Sequence, residues 1–311
     1  MEADNWGVAG SETDVMTSSN KSPEVNSWTD VRDDEIMQQQ YSIRDEEAKK
    51  TPFVGDKELL SSLAAEYESG NPILLEKVKI LAEQYDAIRR TRGDGNCFFR
   101  GFMFAYLEHI MESQDHDEVA RITAKIEESR KKLISLGYID FTFEDYLTVT
   151  LELLQSVISG NEASISHDEL LQKSRDPVIS DSVVMFFRFI TSGELKTRSD
   201  FYEPFVQGLT STSVQQFCKS SVEPMGEESD HVHITALSDA LGIPMRIVYL
   251  DRSCDDKGNA VVNHHDFTPV VGGDESDSTN ADSGGGATGE VVKPFITLLY
   301  RPGHYDILYP K

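Results

Sequence analysis

Gly93-Asp94-Gly95-Asn96-Cys97-Phe98-Phe99-Arg100 sets a cysteine where a polar, glycine-bracketed turn runs into an apolar stretch. The chain continues as Gly101-Phe102-Met103-Phe104-Ala105-Tyr106-Leu107 without a proline, and apolar residues on nearly every side predict a helix buried in a core. Asp94 or Asn96 can act as the N-cap, so Cys97 falls in the first turn. There the unpaired amides and the helix dipole favour thiolate over thiol. Gly93 and Gly95 permit a tight turn, and the amides around Asp94 and Cys97 are the expected donors to an oxyanion. A free cysteine is ordinarily a small buried core residue. What lifts Cys97 above that reading is a partner at the far end of the chain.

That partner is the segment Phe295 to Tyr309. Phe295-Ile296-Thr297-Leu298-Leu299-Tyr300 reads as a strand, Arg301-Pro302-Gly303 as a turn and His304-Tyr305-Asp306-Ile307-Leu308-Tyr309 as the returning strand. Period-two alternation puts His304 and Asp306 on one face, so the carboxylate can hold one ring nitrogen while the other faces a thiol. The three groups needed for thiol-based acyl transfer are then present: an attacking cysteine, a histidine that accepts and returns the proton, and a carboxylate that orients it.

Three segments together resemble the otubains, deubiquitinating cysteine proteases of the ovarian-tumour superfamily. They are Asp94 to Arg100, Glu223-Pro224-Met225 followed by Glu228-Ser229-Asp230-His231-Val232-His233, and Tyr300 to Tyr309. The resemblance runs from about Asp34 to the C-terminus. It implies an α+β, papain-like, ovarian-tumour-type fold with a central, mainly antiparallel mixed sheet flanked by helices. It implies Cys97 as nucleophile, His304 as general base, Asp306 as the residue orienting it, and Asp94 as an active-site residue shaping the oxyanion turn. In the family the neighbourhood of Glu194 to Phe205 approaches the distal ubiquitin, which makes Phe201 a candidate contact with core packing as the alternative role. The place of His231 in the family segment makes it a candidate lining residue of the ubiquitin channel. The expected partners are ubiquitin and polyubiquitin chains. A second role, binding and blocking ubiquitin-conjugating enzymes without catalysis, also follows from the family. Gly93 stands where other members can carry proline, and a Gly/Ser/Asp-rich insertion between Asp251 and Glu290 is longer than in compact members.

Composition agrees with that reading. The formal charge of −25 argues against a nucleic-acid binder and suits a basic partner such as ubiquitin, which carries a basic face. Three cysteines at irregular spacing predict no disulfide scaffold and a reducing compartment, the cytoplasm with the nucleus beside it. Neither a signal peptide nor a membrane-length apolar run is recognisable, and a monomer is expected.

Along the chain, residues 1–32 read as a disordered acidic tail, 33–50 as a charged helical arm and 51–311 as the catalytic domain with a flexible insertion at about 251–290. Pro52 should break the arm, with Gly55 in a turn. Helices are expected over Pro72–Arg89, Glu144–Ile158, Asp181–Thr191 before Gly193, and from Ser229 or Asp230 to Leu241, with a strand over Pro244–Leu250.

Other chemistries fit less well. His231-x-His233 and His264-His265, with Cys218 or Cys254, match no zinc spacing, so neither metal nor cofactor is expected. A Gly284/Gly286/Gly289 match to a dinucleotide fingerprint lacks its strand and helix.

Overall fold

Six strands among the described residues, β1 (Val54–Leu59), β2 (Tyr85–Thr91), β3 (Met245–Tyr249), β4 (Asn263–Phe267), β5 (Ile296–Arg301) and β6 (His304–Pro310), form one sheet in the order β1-β2-β6-β5-β3-β4. Every neighbouring pair is antiparallel except β3 and β5. The expected α+β class with a mainly antiparallel mixed sheet is therefore found. This computed structural model describes residues 42, 46, 50–68, 70–160, 164–269 and 293–311, of which Asp45–Lys311 belong to one compact unit.

Within Asp45–Lys311 the α-helices bounded by described residues are α1 (Ser61–Tyr67), α2 (Pro72–Gln84), α3 (Cys97–Ser113), α4 (His116–Ser135), α5 (Glu144–Ser156), α6 (His167–Arg175), α7 (Pro177–Thr197), α8 (Ser199–Thr210), α9 (Val214–Phe217) and α10 (His231–Leu241). Among the described residues, no helix is long and apolar enough to cross a membrane. The alternation of β6 explains how the sheet is sandwiched. Tyr305 and Ile307 join the main core with Phe98, Phe102 and Leu298, while Leu308 turns to a second core with Leu63, Val78 and Leu81. Helix α3 lies in the main core with Phe98, Phe99 and Phe102 fully buried, each contributing about 2 kcal/mol of burial energy. That burial fixes the start of α3, and with it Cys97.

Several expected elements differ. The Pro72 helix ends at Gln84, and Tyr85 and Ile88, which continue its apolar stripe, lie in β2 because that strand pairs with both β1 and β6. Helix α7 does not stop before Gly193 but runs through it. A Cβ there would come 3.1 Å from Leu133 Cδ2, so the glycine serves close packing against α4. Gly55 lies in β1 at a register shift, where its carbonyl accepts from Arg89, and not in a turn. The insertion contributes the edge strand β4, which carries His264 and His265. Gly284, Gly286 and Gly289 lie outside the described residues, as do residues 1–32 and most of the 33–50 arm; Ser42 and Glu46 are helical and exposed. Helix α10 is capped as expected, by Asp230 accepting from Val232 N and His233 N, and ends at Gly242 with φ of 67°.

Candidate active site

Cys97 is the first residue of α3, but neither expected side chain caps the helix. Asp94 Oδ1 accepts from Asn96 N at 2.9 Å, one residue ahead of the helix, and Asp94 Oδ2 takes Arg100 Nη2 at 2.9 Å. The Asn96 carboxamide turns away to Arg188 Nη2 at 2.8 Å and Gly226 N at 3.0 Å, because those buried donors need an acceptor. Asp94's own amide donates to Arg92 O at 3.0 Å, which removes it from the expected oxyanion donors. The amides of Gly95 and Cys97 remain the candidates, the second being one of the first helix amides that lack an intrahelical acceptor.

His304 opens β6 and is largely buried. Its Nε2 meets Asp306 Oδ1 at 2.8 Å, and Cys97 lies close enough to the ring to be among the groups that raise its pKa. Nδ1 faces the cysteine turn, since a Cβ on Gly93 would lie 3.7 Å from it. Asp306, fully buried, accepts from Thr91 N at 3.0 Å on Oδ1 and from Arg301 Nη2 at 2.6 Å on Oδ2. Glu66 in turn pairs with Arg301 at 3.3 Å and Arg90 at 2.6 Å.

Burial pushes the Asp306 carboxyl up, but the His304 hydrogen bond and the Arg301 charge outweigh it and hold the group below the usual carboxylate range. For His304 burial works downward, yet its bonds to Asp306 and Cys97 and their charges prevail, raising the pKa from 6.5 to about 9. An imidazolium beside a sulfur is the partner a thiolate needs. Two pH effects are predicted from this shift. Cleavage, measured as kcat/KM over roughly pH 6 to 10, is expected to fall as pH rises through about 9, where His304 loses the proton destined for a leaving group. The raised pKa also stabilises the fold fully below 6.5, a contribution lost as pH climbs through about 9 and readable by denaturation. A kcat/KM still flat at pH 10 would count against the ion pair.

A third segment, residues 222–230, closes over both. A Cβ on Gly95 would sit 1.8 Å from Gly226 O, one on Gly303 would sit 3.3 Å from Glu228 Oε2, and Tyr305 OH donates to Ser229 O at 3.2 Å. His231, at the start of α10, bonds Tyr249 OH through Nε2 at 2.7 Å. From there an aromatic row, Tyr249, Tyr300 and Tyr305, leads to the neighbour of His304. Phe201 is not among these residues. It lies on α8, 45% exposed, beside the exposed Phe205 and Leu209. His233 is buried in a capping box with Asp230, and no group of three metal-ligating side chains occurs among the described residues.

Sequence reasoning missed Arg301, Thr91, Glu66 and Arg188. Arg301, expected in the turn, is instead the last residue of β5, and the register opposes it to His304, which puts it on the face of Asp306. For Arg188 the signal was an arginine inside the apolar run Val183 to Ile190.

A helix-borne cysteine facing a strand-borne histidine across an α+β domain is the build of a cysteine peptidase. A family model described as Peptidase C65 Otubain matches residues 46–310. The chain belongs to this otubain family. It is 63% identical over 275 residues to the "OVARIAN TUMOR DOMAIN-containing deubiquitinating enzyme 1" of Arabidopsis thaliana, covering 88% of this chain and 86% of that protein. It is 37% identical over 277 residues to "Ubiquitin thioesterase OTUB1" of Homo sapiens, covering 89% and 90%. A solved complex described as "h/ceOTUB1-ubiquitin aldehyde-UBCH5B~Ub" superposes with TM-score 0.74 at 32% identity, over 90% of this chain and 99% of that one.

Proposed function

We propose that this protein is a deubiquitinating thiol peptidase that hydrolyses the isopeptide bond at the C-terminus of ubiquitin. The observation that carries the reading is Cys97 at a helix N-terminus, preceded by a turn that His304 Nδ1 faces, with the far nitrogen of His304 held by Asp306. Cys97 sulfur attacks the carbonyl carbon of ubiquitin's terminal glycine. The amides of Gly95 and Cys97 receive the oxyanion, an effect worth about 3–4 kcal/mol of barrier. His304 gives its proton to the departing lysine amine as the C–N bond breaks, leaving a thioester. It then takes a proton from water, whose oxygen attacks the thioester carbonyl, and keeps that proton as the C–S bond breaks, so that ubiquitin leaves with a free carboxyl group and the thiolate–imidazolium pair is restored. Asp306 keeps the ring oriented throughout, and Asp94 acts by holding the turn.

The substrate surfaces we assign are His231 with its aromatic row and Phe201 with Phe205 and Leu209, an exposed stripe at helical spacing on α8. Three free cysteines, Cys254 among them exposed, suit the cytoplasm as the compartment. Solved neighbours described as complexes with UBC13~Ub and UBCH5B~Ub favour a second activity, inhibition of ubiquitin-conjugating enzymes through bound contact.

Cys97→Ala separates the two. It is expected to abolish cleavage of linked di-ubiquitin, on the order of 10⁶-fold, while inhibition of chain synthesis persists and disappears on deletion of residues 1–50. Full cleavage by Cys97→Ala would end the peptidase reading.

A further inference from the structure

Arg188 occupies the middle of α7 within Val184-Met185-Phe186-Phe187-Arg188-Phe189-Ile190, and none of it reaches solvent. A guanidinium in that position must find acceptors inside the protein. It finds four. Nη1 donates to Val222 O at 2.9 Å, and Nη2 to Glu227 O at 2.7 Å, Asn96 Oδ1 at 2.8 Å and Gly95 O at 3.1 Å. Two belong to the turn before Cys97 and two to the 222–228 loop. Asn96 Oδ1 adds the Gly226 amide at 3.0 Å, so one planar cation and one carboxamide tie turn to loop.

The consequence falls on a single peptide unit. Its carbonyl, Gly95 O, is held by Arg188, and its amide, Asn96 N, is held by Asp94 Oδ1 at 2.9 Å. A rigid peptide plane gripped at both ends cannot turn over. Its setting constrains the amides on either side, those of Gly95 and Cys97. Lysine could not replace this grip, because a point ammonium has three donors and no planar fork to span two segments.

We propose that Arg188 is a positioning residue for the oxyanion, holding the Gly95–Asn96 peptide and the 222–228 loop so that the Gly95 and Cys97 amides aim at the scissile carbonyl oxygen. The inference rests on the peptidase reading above and adds to it a residue that touches neither substrate nor sulfur.

The test compares wild type with Arg188→Lys and Asn96→Ala on a fluorogenic amide of the ubiquitin C-terminus. For Arg188→Lys, kcat is expected to fall on the order of 100-fold with KM changed by less than about 3-fold. Affinity for ubiquitin aldehyde should fall by the same factor as kcat, since the hemithioacetal oxygen uses the same donors. The rate and pH profile of Cys97 alkylation by iodoacetamide should stay unchanged, because halide displacement forms no carbonyl oxyanion. Asn96→Ala should give the same pattern with a smaller loss, and the double variant should be no worse than Arg188→Lys alone. Unchanged kcat in Arg188→Lys, or alkylation and ubiquitin binding that fall together with kcat, overturns the proposal and leaves Arg188 a packing residue. Should Arg188→Lys fail to fold, Asn96→Ala decides alone: wild-type kcat and aldehyde affinity in that variant overturn it. A wild-type protein that cleaves nothing is instead a failure of the peptidase reading.

Discussion

Asp306→Asn is expected to cut kcat on the order of 10³- to 10⁴-fold while ubiquitin still binds. Three donors converge on this fully buried carboxylate: His304 Nε2 at 2.8 Å, Thr91 N at 3.0 Å and Arg301 Nη2 at 2.6 Å. An asparagine offers one oxygen and an NH2 group, so at least one donor must face another donor. If the oxygen stays on Arg301, the NH2 meets His304 and selects the wrong tautomer. If it turns to His304, the guanidinium loses its buried partner and is left to Glu66 at the protein edge and to neighbouring Tyr67. Either arrangement costs about 2–3 kcal/mol of stability. The alkaline limb of the pH–rate profile gives an independent reading. Against burial, which lowers the His304 pKa, the Asp306 hydrogen bond and charge are, with Cys97, what raise it to about 9, so the limb should move to lower pH in the variant. A kcat within about 10-fold of wild type, with the limb unmoved, would mean that His304 is oriented by something else.

Gly95→Ala is the second large effect, and it acts through the backbone. Gly95 has φ of 77°, and a Cβ there would lie 1.8 Å from Gly226 O and 2.3 Å from Gly226 C. Both obstacles are main chain, so no side-chain rotation relieves them. The left-handed conformation alone costs about 1–2 kcal/mol for a residue bearing Cβ, and the collision must push the cysteine turn away from the 222–228 loop. That movement breaks the Asn96 to Gly226 bond and displaces the Gly95 and Cys97 amides. The expected result is a melting temperature lower by about 4–8 °C and a kcat lower on the order of 100-fold. Gly93→Ala is the control for stability. A Cβ at that position meets only His304 Nδ1 at 3.7 Å, an ordinary contact, and its φ is not in the left-handed region. Equal melting temperatures for the two variants would show that the turn accommodates a side chain at Gly95.

Both glycines looked alike in sequence, each flanking Asp94 in a turn ahead of an apolar helix. The difference between them is the proximity of Gly226, 131 positions away from Gly95 in the chain. The same division runs through the rest of the molecule. Tyr85 and Ile88 continue the apolar stripe of α2, and nothing local distinguishes that continuation from a strand; pairing with β1 and β6 does. Asn96 has the chemistry of a cap, yet Arg188 and Gly226 outcompete the helix amides for its oxygen. His304 and Asp306 share a face because strand pleating requires it, and that much follows from their spacing.

Local chemistry and periodicity therefore specified the start of α3 at Cys97, the β5–β6 hairpin, the α10 caps and the identity of the residues that meet at the site. Those features depend on neighbours a few positions apart, whose relative placement the backbone conformation itself dictates. Folding in three dimensions chose the network around them: Arg188 on the Gly95 carbonyl, and Arg301 and Thr91 on Asp306. A buried donor declares in sequence that it needs an acceptor, but any of hundreds of carbonyls and side chains could serve, and only packed cores and strand register bring a particular one within 3 Å.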